Sequence, residues 1–107
     1  MTISSYPVEM NTETLSSIVT VKNPQGLHAR PADLLVRLAN QFQSKIEISK
    51  QGEWVDAKSI LSLLTLGAAQ GTELGLQVAG VDAIEAMDAV KELFEQGFNE
   101  LDEASEV

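Results

Sequence analysis

Lys45-Ile46-Glu47-Ile48-Ser49-Lys50, then Gln51-Gly52, then Glu53-Trp54-Val55-Asp56-Ala57, is the stretch that decides the fold. Its first arm alternates apolar and polar residues with period two, the pattern of a strand with one face in water. Gln51-Gly52 reads as a tight turn, and Glu53–Ala57 is a short second arm, so the pair is a β-hairpin. A half-wet hairpin needs further strands beside it and a cover over its apolar face.

Working outward towards the C-terminus, Ser59–Leu66 is a short apolar stretch that periodicity alone leaves between helix and strand. Ser59 as a cap and Gly67 as a stop tilt it towards helix. Glu73–Gly80 alternates again, with Leu74, Leu76 and Val78 on one face. Val81-Asp82 opens a long helix whose buried stripe is Ala83, Met87, Val90 and Phe94, with Asp82 or a neighbour as its cap and Gly97 as its end signal. Working outward towards the N-terminus, Leu34, Leu35, Leu38, Ala39 and Phe42 recur at helical spacing, which predicts a helix over Ala29–Phe42. Asn23-Pro24-Gln25-Gly26 breaks the chain as a turn, and Ile18 to Val21 favour a strand near Ser16–Lys22.

The predicted order is β-α-β-β-α-β-α. It specifies an α+β, open-faced β-sandwich: a four-stranded antiparallel sheet covered on one face by three helices. Residues 1–15 are polar and without a sustained period, and are expected to be an extension. The domain is expected over 16–98, followed by an acidic tail over 99–107.

Composition bounds the function. The 107 residues fit one domain with short tails, and 44 % hydrophobic against 21 % charged residues is an ordinary globular balance. The net charge of −9 argues against general nucleic-acid binding. Residues 82–107 hold nine acids against one base, Lys91, so the acidity belongs to the C-terminal segment and the rest can still hold an anion. There is no cysteine, which removes disulfides and thiolate chemistry. No apolar run approaches the roughly 20 residues needed to cross a bilayer. The first 21 residues lack Lys and Arg, and so lack the positive start of a signal peptide. A cytoplasmic protein is expected.

The chemically informative stretch is Gly26-Leu27-His28-Ala29-Arg30-Pro31-Ala32. His28 is the only histidine and sits where a turn becomes a helix. Pro31 is tolerated there because first-turn amides lack an intrahelical acceptor anyway. The free amides of Ala29 and Arg30 lie near the ring, and a helix N-terminus favours an anion. Arg30 adds a planar, permanently charged phosphate partner, and Gly26 permits a turn that other residues resist. These parts suit a phosphohistidine, since the neutral imidazole is a good nucleophile. The bland alternative is a capping or surface histidine. A metal site is poor with no second His and no Cys, and a hydrolytic triad has no marked nucleophile or acid.

With Asn23 to Ala32 (NPQGLHARPA) and Lys58 to Gly67 (KSILSLLTLG), the sequence resembles the histidine-containing phosphocarrier (HPr) family of the bacterial phosphoenolpyruvate-dependent phosphotransferase system, over about residues 16–98. The resemblance implies a stoichiometric carrier, not an enzyme, that needs no cofactor. His28 would be phosphorylated on Nδ1, with Arg30 attending the phosphoryl group. Enzyme I would donate it and an enzyme II A component or a regulator would accept it. The resemblance also implies that Ser59 is open to HPr kinase/phosphorylase in some lineages, beside its plain reading as a helix cap. Ile60, Leu61 and Leu64 are too apolar for one short helix to bury entirely, which suggests a partner patch beside His28, although any one of them could be core. Arg30 and Arg37 share a helix face and Lys58 can join them as a basic rim that steers an acidic partner. A monomer is expected. Sugar uptake, a nitrogen-related regulatory chain and a non-phosphorylated binding module of the same fold remain as alternatives. Trp54 is either a surface residue of the hairpin or a partner contact.

Overall fold

The computed structural model describes residues 13–100. Four strands are present: β1 (Glu13–Thr20), β2 (Lys45–Lys50), β3 (Glu53–Asp56) and β4 (Glu73–Gly80). They form one antiparallel sheet in the order β1-β4-β2-β3. The helices are α1 (Ala29–Ala39), α2 (Ile60–Leu64) and α3 (Ala83–Glu95). The sheet is therefore the expected four-stranded one, and the hairpin at Gln51-Gly52 is its β2-β3 edge.

Alternation sets which face is covered. Leu74, Leu76 and Val78 of β4 pair with Val19, Ser17 and Leu15 of β1, and Leu76 and Val78 also sit opposite Ile48 and Ile46 of β2. This face carries the core: Ile46, Ile48 and the three β4 residues are fully buried, beneath Leu35 of α1, Leu63 of α2 and Val90 and Phe94 of α3. Burying each such side chain stabilises the fold by about 1.5–3 kcal/mol, which outweighs the weak local preference of a helix as short as α2. The opposite face is open. A single row, Ile18-Gly75-Ser49-Trp54, crosses it through the paired positions of β1, β4, β2 and β3. A Cβ on Gly75 would lie 3.2 Å from the Trp54 ring, so the indole lies over the glycine. Trp54 is thus a sheet-surface residue, about half exposed.

Three boundaries differ from expectation. β1 begins at Glu13, inside the stretch 1–15 expected to be an extension, because its register with β4 continues to Gly80; the rest of that stretch lies outside the described residues. α1 ends at Ala39 and not at Phe42. Gln41 and Phe42 turn back to bond Leu38 and Ala39, three residues earlier, and the Asn40 side-chain amide donates to the Val36 carbonyl. Asp82 precedes α3 but does not cap it. Its carboxylate instead accepts from the Ser44 hydroxyl at 2.5 Å and from the Gln43 and Ser44 amides, each at 2.9 Å. These bonds, the Ser44 hydroxyl first, hold its carboxyl below the ordinary range.

The fourth difference reaches the site. Gly97 ends α3 as expected, yet the chain does not depart into a tail at 99. Gly97, Phe98 and Asn99 have φ of 62°, 55° and 63°, a left-handed turn that returns the chain to the domain. Non-glycine residues resist this conformation, at about 1–2 kcal/mol each. Burial of Phe98, edge-on to Phe94 with ring centroids 4.8 Å apart, offsets that cost. Glu100, expected in the acidic tail, is consequently only 8 % exposed. Residues 101–107 of that tail lie outside the described residues.

Candidate functional site

The site begins with a turn that only glycine can close. The Gly26 amide donates to the Asn23 carbonyl at 3.1 Å and the Asn23 side-chain amide donates to the Gly26 carbonyl at 2.5 Å. Gly26 has φ of +77°, and a Cβ there would sit 2.6 Å from the Ala68 carbonyl oxygen. That carbonyl accepts from Leu27 N–H at 2.8 Å, which fastens the turn to the segment after α2. Lys22, just before the turn, pairs with Glu95 at the end of α3 at 2.8 Å. Its ammonium, by hydrogen bond and charge, holds the Glu95 carboxyl below its usual range.

The turn delivers His28 to the start of α1. Its backbone is extended (φ −85°, ψ −166°), and its carbonyl accepts the first helical bond from Ala32 at 3.0 Å. Pro31 is the third helical residue and is buried, as is Ala32. Ala29 and Arg30 are exposed, with first-turn amides that have no acceptor within the helix. The His28 side chain makes no capping bond. The bland capping role is therefore not the one it performs. Its side chain is 37 % exposed, open to a visiting molecule.

What the imidazole does contact is Glu100. Nε2 lies 3.1 Å and 3.2 Å from the two carboxylate oxygens. The Asn23 side-chain amide donates to the same carboxylate at 2.9 Å, and Asn23 itself is fully buried. Asn23 Nδ2 thus faces two acceptors, the Gly26 carbonyl and Glu100, which fixes the amide orientation. Sequence pattern alone marks neither Asn23 nor Glu100 as a site residue. Asn23 was visible only as a turn former. The signal for Glu100 was Phe98, an apolar residue beyond the helix stop with nowhere to go but the core.

The remaining expected residues divide. Ser59 is the N-cap of α2, its hydroxyl accepting from Ser62 N–H at 3.3 Å. Leu61 and Leu64 are exposed, at 74 % and 39 %, whereas Ile60 packs against the core. α1 and α2 are in contact. The two ties place them antiparallel: Leu27 holds Ala68 beyond the end of α2, and the Lys58 ammonium donates to the Phe42 carbonyl, beyond the end of α1, at 2.8 Å. Leu64 therefore lies towards the His28 end of the helix pair and Ser59 towards the far end. Arg37 is nine residues along α1 from His28, roughly 14 Å of helix, and pairs with Asp33 at 2.8 Å. Arg37 and Lys58 are thus engaged at the end of α1 away from the imidazole, and Arg30 alone of the three lies beside it in sequence.

Among the described residues no helix is long and apolar enough to cross a membrane. A family model described as the PTS HPr component phosphorylation site matches residues 15–96. The chain is 45 % identical over 82 residues to the phosphocarrier protein HPr of Xylella fastidiosa (strain Temecula1), covering 77 % of this chain and 92 % of that one. It is 41 % identical over 83 residues to the phosphocarrier protein NPr of Proteus mirabilis, covering 77 % and 92 %. Among solved structures, an HPr from Thermoanaerobacter tengcongensis is similar with a TM-score of 0.77 and 40 % identity, over 79 % of this chain and 96 % of that one.

Proposed function

Because the chain belongs to the HPr family of phosphotransferase-system phosphocarriers, we propose that it accepts a phosphoryl group from enzyme I on His28 and passes it to enzyme II A components in sugar uptake. The observation that carries this reading is the half-exposed imidazole at the N-terminus of α1, which is not used as a cap. A nitrogen lone pair of His28 attacks phosphorus, and the bond from phosphorus to the donor breaks. The first-turn amides of Ala29 and Arg30 and the Arg30 guanidinium supply positive potential for the incoming dianion. Onward transfer reverses the step, with the phosphorus–nitrogen bond breaking as the acceptor attacks. One helix end, open to solvent, holds the group without burying it, which suits a carrier that must release its cargo.

Exposed Leu61 and Leu64, on the helix antiparallel to α1, support a small apolar docking patch whose inner edge is Ile60. Arg37 and Lys58 form its far rim, their charge partly spent on Asp33 and the Phe42 carbonyl. Ser59 performs its capping role here. Its phosphorylation by HPr kinase/phosphorylase would add charge at the start of α2, within reach of the same patch. The chain acts in the cytoplasm as a stoichiometric carrier.

Resemblance to the Proteus mirabilis NPr favours a second reading, the same chemistry in a regulatory, nitrogen-related chain. Incubation with enzyme I and labelled phosphoenolpyruvate should yield one acid-labile, alkali-stable phosphate per chain, and His28→Ala should abolish it. Label that persists in the variant, or that survives acid, refutes the assignment. Offering the phosphorylated chain a sugar-type and a nitrogen-type acceptor in parallel separates the two branches by relative rate.

A further inference from the structure

Glu100 is in direct contact with the reacting ring, and nothing in the carrier assignment uses it. Three observations mark its placement as built. The carboxylate is nearly buried, both its oxygens face one nitrogen of His28, and a fully buried asparagine holds it from the other side. The left-handed turn at 97–99 and the burial of Phe98 fix the backbone that carries it. A buried carboxylate without partners would be costly, so this one stands only because His28 and Asn23 satisfy it.

We propose that Glu100 is a positioning residue for phosphoryl transfer, holding the Nε2 proton of His28 so that Nδ1 presents its lone pair. The proposal rests on the carrier reading of His28. A carboxylate only accepts, so the Nε2 that faces it must carry the hydrogen. The other nitrogen is then the unprotonated one. Nδ1 also lies one bond closer to the main chain than Nε2 does.

The proton bookkeeping explains the value of such a partner. Nδ1 attacks phosphorus with its lone pair, and the donor's bond to phosphorus breaks. The ring now carries phosphate on Nδ1 and hydrogen on Nε2, and bears a positive charge that faces the carboxylate. In onward transfer the Nδ1–phosphorus bond breaks, its electron pair returns to Nδ1, and the ring leaves as neutral imidazole with Nε2–H intact. No proton enters or leaves the ring in either half. Without Glu100 the hydrogen is free to sit on Nδ1, which blocks attack, or to leave Nε2 after phosphorylation, which makes the ring a poorer leaving group. A carboxylate orienting a histidine from the far nitrogen is the same physical device that fixes the tautomer in hydrolytic triads.

The test combines a spectroscopic and a kinetic measurement on the full chain. Nitrogen-15 chemical shifts of neutral, unphosphorylated His28 should show a protonated Nε2 and an unprotonated Nδ1. In Glu100→Ala the two signals should move towards each other as the tautomers mix. Glu100→Gln keeps the volume but removes the charge, and should slow phosphoryl uptake from enzyme I about tenfold or more, the scale of a lost charge-assisted hydrogen bond. Thermal unfolding of both variants should stay cooperative, since Glu100 follows the last helix. A wild-type spectrum with hydrogen on Nδ1, or shifts unchanged in Glu100→Ala, overturns the proposal. Normal uptake by wild type, with Glu100→Gln within twofold of it, overturns the proposal alone. No uptake by wild type overturns the carrier assignment and this inference with it.

Discussion

Replacing Gly26 by alanine should be far more damaging than replacing Gly52, although both glycines have similar positive φ, +77° and +86°. Alanine in the left-handed region costs about 1–2 kcal/mol at either position. At Gly52 nothing lies within 4 Å of the added Cβ, so the cost ends there. At Gly26 the Cβ would lie 2.6 Å from the Ala68 oxygen and 3.0 Å from the Ala69 Cα. Both are backbone atoms and neither can swing aside. Forcing them apart adds about 1–3 kcal/mol of overpacking, and weakening the 2.8 Å bond from Leu27 N–H to Ala68 O removes about 1 kcal/mol more. The excess of Gly26→Ala over Gly52→Ala is therefore about 2–4 kcal/mol, a large share of the 5–15 kcal/mol that stabilises a typical domain. At about 4–8 °C per kcal/mol for a domain of this size, it should lower Tm by at least about 8 °C more than Gly52→Ala does. Thermal unfolding followed by circular dichroism measures both variants against wild type. Equal melting temperatures would show that the turn does not press on the 68–69 backbone, and the account of how His28 is positioned would fail with it.

Phe98→Ala should destabilise the domain by about 3–5 kcal/mol in urea denaturation. It should also mix the His28 tautomers as Glu100→Ala does, because the buried ring fixes the backbone that carries Glu100. Leu61→Ala should leave stability within about 0.5 kcal/mol, since the side chain is exposed. The same variant should raise KM for the chain in the enzyme I assay with kcat unchanged; unaltered KM would remove Leu61 from the docking patch. Asp82 has a folded-state pKa below its unfolded value, so its bonds to Ser44 and Gln43 contribute stability above that unfolded value and lose it as pH falls through the folded one. The stability difference between wild type and Asp82→Asn should hold steady from neutral pH to about pH 5, then shrink below about pH 4. A difference that persists into strong acid would refute the sign.

Local patterning carried the sheet and the helices. The alternation in Lys45–Lys50 and Glu73–Gly80, the stripe Ala83, Met87, Val90 and Phe94, and the Gln51-Gly52 turn each act over a few residues, and each appears in the structure where it was read. His28 could be placed at a helix start because Gly26 and Pro31 mark that junction from both sides. Contacts made across the chain were less legible. Asp82 had the position of a cap, but the Gln43-Ser44 corner offers three donors and competes successfully for its carboxylate. Glu100 meets His28 across 72 positions, a distance over which no periodicity reports. Composition grouped it with the acids that follow, whereas the burial of Phe98 decided where it went.

The left-handed turn at 97–99 also divides the chain into a part that builds the sheet and a part that completes the site. All four strands and the head of α1 lie upstream of Gly97, whereas Phe98 and Glu100 lie downstream of it. A chain shortened at that turn keeps every strand and its only histidine, and loses in one cut the aromatic anchor and the carboxylate that faces the ring.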